Sequence, residues 1–249
     1  MKYDLHIHSC LSPCGDTDMT PSNIAGMAML GGLELVALTD HNTTLNCPAF
    51  FKACENLGVV PIGGMELTTA EDIHMVCLFP TLEITMAFGE VVAEHRMKIK
   101  NRADIFGEQT VLDENDEIIA YVDDLLVAGT DLDIVTAYDL VTEYGGAAFP
   151  AHIDKQSNGI IAILGDLPPE PIFATAEFHD ISKKEEYEKN YPSLLGMNCI
   201  TCSDAHYLHM MSEMPDELPF DRRDMSDDEV RKAVIAYLNG HLSKDNESK

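Results

Sequence analysis

The sequence predicts an α/β protein, a single domain in which about seven strand–helix units close into a barrel. Three observations lead there. Short apolar runs of strand length recur along the 249 residues. Helical patterns with sound start signals separate most of them, the alternation that gives a mostly parallel sheet. Histidines and carboxylates gather at or beside the ends of those runs, where barrels of parallel strands carry their reactive groups.

The first run, Tyr3–His8, ends in His6-Ile7-His8. Side chains alternate along a strand, so His6 and His8 share a face and can hold one metal ion together. Thr20-Pro21 then places a capping hydroxyl before a proline at the first helical position. The runs Leu33–Thr39 and Val59–Leu67 follow, leading into Thr39-Asp40-His41 and carrying Gly64-Met65-Glu66. Only a handful of residues separate Leu67 from the next run, Ile73–Phe79, while a parallel crossover needs about a dozen. Glu66 and His74 are therefore expected to face each other across a tight local turn.

A second irregularity spans about residues 96–131, where Gly107–Leu112 and Glu117–Val122 flank the polar turn Asp113-Glu114-Asn115-Asp116. This reads as an inserted hairpin over one end of the barrel, with an acidic solvated loop as the plainer alternative. The runs Ala147–His152, Ala174–Phe178 and Cys199–Ser203 complete the set. Cys199-x-x-Cys202 lies in the last of them, where residues three apart face opposite sides, and is read as structural. Ser226-Asp227-Asp228-Glu229 is a capping box opening the final helix, to about Leu238. The domain is expected to span residues 1–243, with Lys244–Lys249 a frayed tail.

Composition narrows the function. Acidic residues number 43 against 16 basic, a net charge of −27. A field of that sign repels nucleic-acid backbones and anionic membranes, so extended nucleic acid is not expected as a partner. A small phosphorylated anion drawn to bound cations remains compatible, because the ions reverse the local sign. No apolar stretch approaches the roughly 18–20 residues needed to span a bilayer. No signal peptide is expected, and seven cysteines, an odd number, indicate reduced thiols in a cytoplasm. Nothing in the sequence specifies an oligomeric state.

Six histidines (His6, His8, His41, His74, His152 and His206), with Glu66 and Asp204, exceed what one ion needs. Imidazole and carboxylate ligands suit zinc, manganese and iron, and the set implies two or three divalent ions. A metal-dependent hydrolase is the reading. Asp40, beside His41, is expected to orient a ligand histidine rather than bind metal. Cations for a substrate phosphate are scarce; Lys155, Arg102 and Arg96 are candidates, and His179 is a further candidate for substrate contact.

In order, His6-x-His8, Thr39-Asp40-His41, Gly64-x-Glu66, His74, Pro150-Ala151-His152 and Ser203-Asp204-Ala205-His206 resemble the motifs of the PHP (polymerase and histidinol phosphatase) family. The resemblance spans almost the whole chain. It implies a distorted (β/α)7 TIM-like barrel with a trinuclear metal centre, and phosphoester hydrolysis. By that resemblance His6, His8, Glu66 and Asp204 hold one ion. Glu66 bridges to a second, held also by His74 and His152. His41 and His206 hold the third. The chain departs from the family pattern at Pro13 and Cys14, where an Asp or His is usual. Asp16 is the first choice for that ligand, then Cys14, then Asp18.

The expected activity is hydrolysis of a phosphoester in a small metabolite or nucleotide by metal-activated water, with no protein nucleophile assigned. The alternatives are an amidohydrolase-like metal hydrolase and a catalytically silent metal-binding module. No lysine ends a core strand to bridge metals, which weighs against the first; the near-complete ligand set weighs against the second.

Overall fold

The computed structural model describes residues 1–213, 217–219 and 221–241; the expected tail, Lys244–Lys249, lies outside them. The chain runs β1 (Tyr3–Asp4), α1 (Pro21–Gly31), β2 (Leu35–Leu38), α2 (Cys47–Leu57), β3 (Val60–Thr68), β4 (His74–Phe79) and α3 (Leu82–His95). It continues through α4 (Ala103–Phe106), β5 (Thr110–Leu112), β6 (Ile118–Tyr121), α5 (Ile134–Glu143), β7 (Ala147–Pro150) and α6 (Ile160–Leu164). Last come β8 (Thr175–Phe178), α7 (Lys184–Asn190), β9 (Asn198–Thr201) and α8 (Asp227–Leu238).

The expected helix signals sit where they act. Thr20 Oγ1 accepts from Asn23 N at the start of α1, and Ser226 and Glu229 form a reciprocal capping box on α8. Strand faces alternate as a two-residue period requires. Leu35 and Ala37 of β2 join the cluster that Val230, Val234 and Leu238 of α8 cover, while Val36 and Leu38 pack with α1 and α2. On β4, Val76 and Leu78 point to the α8 side, and Met75, Cys77 and Phe79 meet Phe88 and Val92 of α3. Both faces of these strands are buried, which is why they read as continuous apolar runs rather than alternating ones.

The fold is a mixed α/β domain around a curled sheet, and it meets the expected closed, mostly parallel barrel only in part. One sheet has the order β1-β2-β3-β4-β7, and β8 and β9 form a separate parallel pair. β4 runs antiparallel to both neighbours, with Thr68 opposite His74 and Met75 opposite Pro150. The short link from β3 allows no crossover, so β4 must return antiparallel. Ile153 N donates to Glu177 O after β7, and His8 N donates to Ala205 O after β1. These bonds bring the two sheets together around the site. β1 is also shorter than expected: His6 and His8 lie beyond it, held by a parallel bridge between Ile7 and Ala205.

β5 and β6 pair antiparallel, with Leu11, Val111 and Leu126 forming a small apolar cluster beneath them. Asn46 fixes this hairpin. Its Oδ1 accepts from Leu112 N at 2.9 Å, and its Nδ2 donates to Ser9 Oγ at 3.0 Å and Thr110 O at 3.3 Å. Among the described residues no helix is long and apolar enough to cross a membrane. Of the seven cysteines, Cys10, Cys47, Cys54, Cys77 and Cys202 are buried, Cys199 is half-buried and Cys14 is exposed.

The close approach of β3 and β4 depends on Gly64. A Cβ there would lie 2.1 Å from the Cys77 carbonyl oxygen and 2.7 Å from Leu78 Cδ2. Gly64→Ala is expected to force β4 outward and cost about 1–3 kcal/mol, the usual penalty of overpacking. Chemical denaturation of the parent and variant checks this; equal midpoints would refute it.

Candidate metal centre

Glu66, on β3, is buried with five imidazoles around it. Its Oε1 lies 2.8 Å from His74 Nδ1, 3.1 Å from His152 Nε2 and 3.4 Å from His6 Nε2. Its Oε2 lies 3.2 Å from His8 Nε2 and 3.2 Å from His41 Nδ1. Asp204 Oδ1 faces His8 Nε2 at 3.3 Å and His6 Nε2 at 3.4 Å. The Nε2 atoms of His6 and His8 are themselves only 3.2 Å apart.

These groups come from the ends of different strands. Two of them, His152 and Asp204, adopt φ values of +28° and +49°. Non-glycine residues there cost of order 1–3 kcal/mol each and persist where the surroundings dictate the conformation. Here the strained turns aim both side chains at Glu66 and its histidines.

The other ring nitrogens show how the histidines are oriented. His6 Nδ1 is 2.9 Å from Glu177 Oε2, with both side chains fully buried. His8 Nδ1 is 3.1 Å from Ser12 Oγ, which donates to Asp40 Oδ1 at 2.7 Å. His206 Nδ1 is 2.9 Å from the Asp204 carbonyl oxygen. In each case Nδ1–H donates outward, so Nε2 is the nitrogen turned to the cluster, where a proton or a metal ion can occupy it. Asp40 thus acts on His8 through Ser12, and it also accepts from Ser9 N and Ser9 Oγ.

The charges are strongly coupled. Burial pushes the Glu66 carboxyl up, but His74, His6 and His41 outweigh it and hold it well below the usual carboxylate range. Asp204 is likewise held low, by His6 and His8 against burial. Burial pulls His8 down, yet Asp204 and Glu66 raise it to about 9. His206 is lowered to about 4 by burial and by the charge on His8.

The residues fit bound metal. His41 Nδ1, His74 Nδ1 and Asp204 Oδ1 are buried atoms without hydrogen-bond partners, the condition a cation would relieve. Three overlapping sets gather ligand atoms within 4.8 Å of one another: His6, His8, Glu66, Asp204; His41, Glu66, His74; and His8, His41, His206. The first has the same four members as the first-ion set the resemblance implies. The second holds His41 where His152 was expected, although His152 touches Glu66.

The third set has His8 in place of Asp16. Asp16 is not brought to the cluster; its Oδ1 accepts from Asp18 N in a turn, and its own N donates to His206 O. Cys14 is exposed, and neither it nor Asp18 joins any set among the described residues.

Of the four candidate substrate contacts, Lys155 reaches the centre, its Nζ 2.6 Å from Asp204 Oδ2. Arg102 does not; it is exposed and pairs with Asp104. The His179 side chain is exposed and its backbone N–H is held by Asp154. Arg96 lines a separate small cavity with Thr43 and Thr44. A larger cavity of about 470 Å³ opens between the loop after His8 (Cys10, Pro13, Gly15) and the hairpin (Thr110, Leu112, Ile118).

Sequence reading missed Glu177, Ser12 and Asp4. Asp4, raised to about 6 by burial, accepts from Ser203 N and Ser203 Oγ and so fixes the turn that carries Asp204. The signal was present for two of them: Glu177 and Asp4 are acidic residues inside apolar runs, where an unpaired charge is costly.

The PHP domain family profile matches residues 4–238, and the chain belongs to that family. A cyclic-phosphate relative, phosphoribosyl 1,2-cyclic phosphate 1,2-diphosphodiesterase of Eggerthella lenta, is 37% identical over 68 residues, 27% of this chain and 25% of that protein. The curated relatives match over stretches that cover only 25–46% of their own lengths. Endonuclease Q from Pyrococcus furiosus shares the fold at TM-score 0.62 and 20% identity, over 97% of this chain and 56% of that one. A protein described as a metal-dependent phosphoesterase, from Bifidobacterium adolescentis, aligns over 96% of both chains at TM-score 0.55 and 17% identity.

The expectation that nucleic acid is excluded does not stand. A second endonuclease Q structure, bound to a 27-mer duplex with an abasic lesion at its active site, shares the fold at TM-score 0.55 and 20% identity, over 93% of this chain and 55% of that one. Net charge sums the whole surface, whereas a substrate phosphate meets the field at the site, which bound cations invert.

Two outcomes are expected at the centre. In the metal-free protein His8 keeps its proton up to about pH 9, so a binding metal must displace it. Metal affinity should therefore rise as pH climbs from neutrality through about 9, and calorimetry in buffers of different ionisation enthalpy should register released protons. Affinity independent of pH over that interval would contradict it. Glu177→Gln should weaken metal binding about 10–100-fold, as for other carboxylates that orient a ligand histidine. Unchanged affinity in a metal titration would remove Glu177 from that role.

Proposed function

We propose that this chain is a metal-dependent phosphoesterase whose ions are held by His6, His8, His41, Glu66, His74, His152, Asp204 and His206. The observation that carries the reading is the set of three overlapping ligand groups around one buried carboxylate. Bound zinc, manganese or iron would supply water acidified to near neutrality and would neutralise the phosphate oxygens. Glu66 places ligand atoms in two of the groups at once, the arrangement for bridging two ions. Asp204 holds Lys155 at the rim, where its ammonium meets a phosphate oxygen as a point charge. His6, His8 and the half-buried His206 stay oriented through Glu177, Ser12 and the Asp204 carbonyl, so little reorganisation accompanies the reaction.

The substrate we assign is the phosphoester of a nucleotide unit, either free or within a nucleic acid. Support comes from the family, from the cyclic-phosphate phosphodiesterase relative and from the fold shared with endonuclease Q. Against an amidohydrolase-like centre bridged by a modified lysine stands Glu66, which belongs to two of the ligand groups where that lysine would be needed.

Manganese-loaded parent and His74→Ala should be compared on sugar phosphates, nucleotides, cyclic nucleotides and short DNA and RNA strands. The parent is expected to cleave at least one class and the variant none. No cleavage by a fully metallated parent would overturn the phosphoesterase reading in favour of the silent metal-binding module. Lys155→Met should lower kcat/KM roughly ten- to hundredfold, the value of one charge-assisted hydrogen bond. An unchanged kcat/KM would remove Lys155 from substrate binding.

A further inference from the structure

β7 leaves β4 just where two of the histidines meet Glu66. Met75 lies opposite Pro150, and the next rung is half made, with Ala151 N donating to His74 O at 3.1 Å. In an unbroken antiparallel ladder the two residues of that pair exchange both bonds, so His74 N would donate to Ala151 O. Instead the chain turns at His152, where φ is +28°, and His74 N donates to Asn158 O at 2.9 Å. Asn158 supplies the rung that β7 drops.

The residue type suits the place. Asn158 has φ +58°, in the left-handed region that Asn tolerates and most side chains avoid. Its Nδ2 donates at 2.9 Å to Asp72 O, in the turn between β3 and β4, where Asp72 has φ +67°. One residue thus grips that turn twice, by its amide at Asp72 and by its carbonyl at His74. The loop that carries it is tight. Lys155 N donates to His152 O at 2.8 Å, and a Cβ on Gly159 would lie 2.4 Å from Lys155 O.

The grip matters because His74 and His152 address one oxygen. His74 Nδ1 and His152 Nε2 stand 2.8 and 3.1 Å from Glu66 Oε1, with the ring centroids 5.4 Å apart. A functional site tolerates only about 0.5 Å of misplacement. Glu177, Ser12 and a backbone carbonyl orient the rings of His6, His8 and His206. Among the described residues no acceptor outside the cluster does the same for His74, whose ring meets Glu66 and two other imidazoles. Its placement rests on its backbone.

We infer that Asn158 is a positioning residue of the metal centre, setting where His74 stands relative to His152 and Glu66. It belongs to none of the ligand groups. The inference rests on the metal centre of the proposed function and is independent of which ester is cleaved.

The test titrates cobalt(II) into the full chain stripped of metal, reading affinity, metal bound per chain and the cobalt absorption bands, which follow ligand geometry. Asn158→Val puts a β-branched residue in the left-handed region and removes the amide bonded to Asp72. It should weaken one cobalt about 10–100-fold and alter the bands. Asn158→Gly keeps the left-handed backbone and should restore the bands and most of the affinity. Asn158→Ala serves if the valine variant fails to fold. Impairment that glycine relieves assigns the positioning to the backbone turn, and impairment that it leaves assigns it to the amide; either supports the role. Parent-like affinity and bands in the valine and alanine variants, with a lower melting temperature as the sole effect, would overturn it and leave Asn158 a turn former. A parent that binds no cobalt overturns it together with the metal reading, whereas unaltered variants of a cobalt-binding parent overturn it alone.

Discussion

The structure turns on one buried carboxylate. Glu66 sits in the interior with five imidazole nitrogens between 2.8 and 3.4 Å from its oxygens. An isolated carboxylate there would be prohibitively costly, so positive charge must stand beside it. Protons on His6 and His8 provide that charge without metal, and divalent ions held there would provide it in their place. Much else follows from this requirement: the antiparallel return of β4 that brings His74, the strained turns at His152 and Asp204, and the glycine that lets β3 and β4 approach.

Outside the cluster, a layer of acceptors sets which nitrogen of each ring faces inward. Glu177 serves His6, the Ser12–Asp40 pair serves His8, and a backbone carbonyl serves His206. These partners are as buried as the ligands, so their desolvation is offset only while the whole network stays intact. The network also extends to the inserted hairpin. Asn46 bonds both Ser9, which donates to Asp40, and the backbone of β5. The hairpin is thereby fixed against the same loop that holds His8, with a cavity between them.

The acidity of the chain needs to be seen against this geometry. A net charge of −27 is a property of the whole surface. At the centre, carboxylates are committed to histidines and the remaining ligand atoms invite cations, which would invert the local field. That is why an overall charge, which is a sound guide to long-range steering, is a poor guide to whether a phosphodiester fits one site.

The sequence alone determined the ligand chemistry. His6-x-His8, Glu66, His74 and Asp204-x-His206 stand at run ends because side-chain period and strand length are local properties. The short link between the third and fourth runs dictated that His74 faces Glu66. Helix starts at Thr20 and Ser226 were equally legible, since capping involves only neighbours in the chain. Tertiary structure decided the rest. The antiparallel placement of β4 beside β7, the failure of Asp16 to reach the cluster and the outward turn of Arg102 depend on loop paths that no local pattern encodes. So do Glu177 and Asn46, separated by 171 and 37 residues from the partners they orient, because pairing at such distances follows from packing of the whole chain and from no periodicity within it.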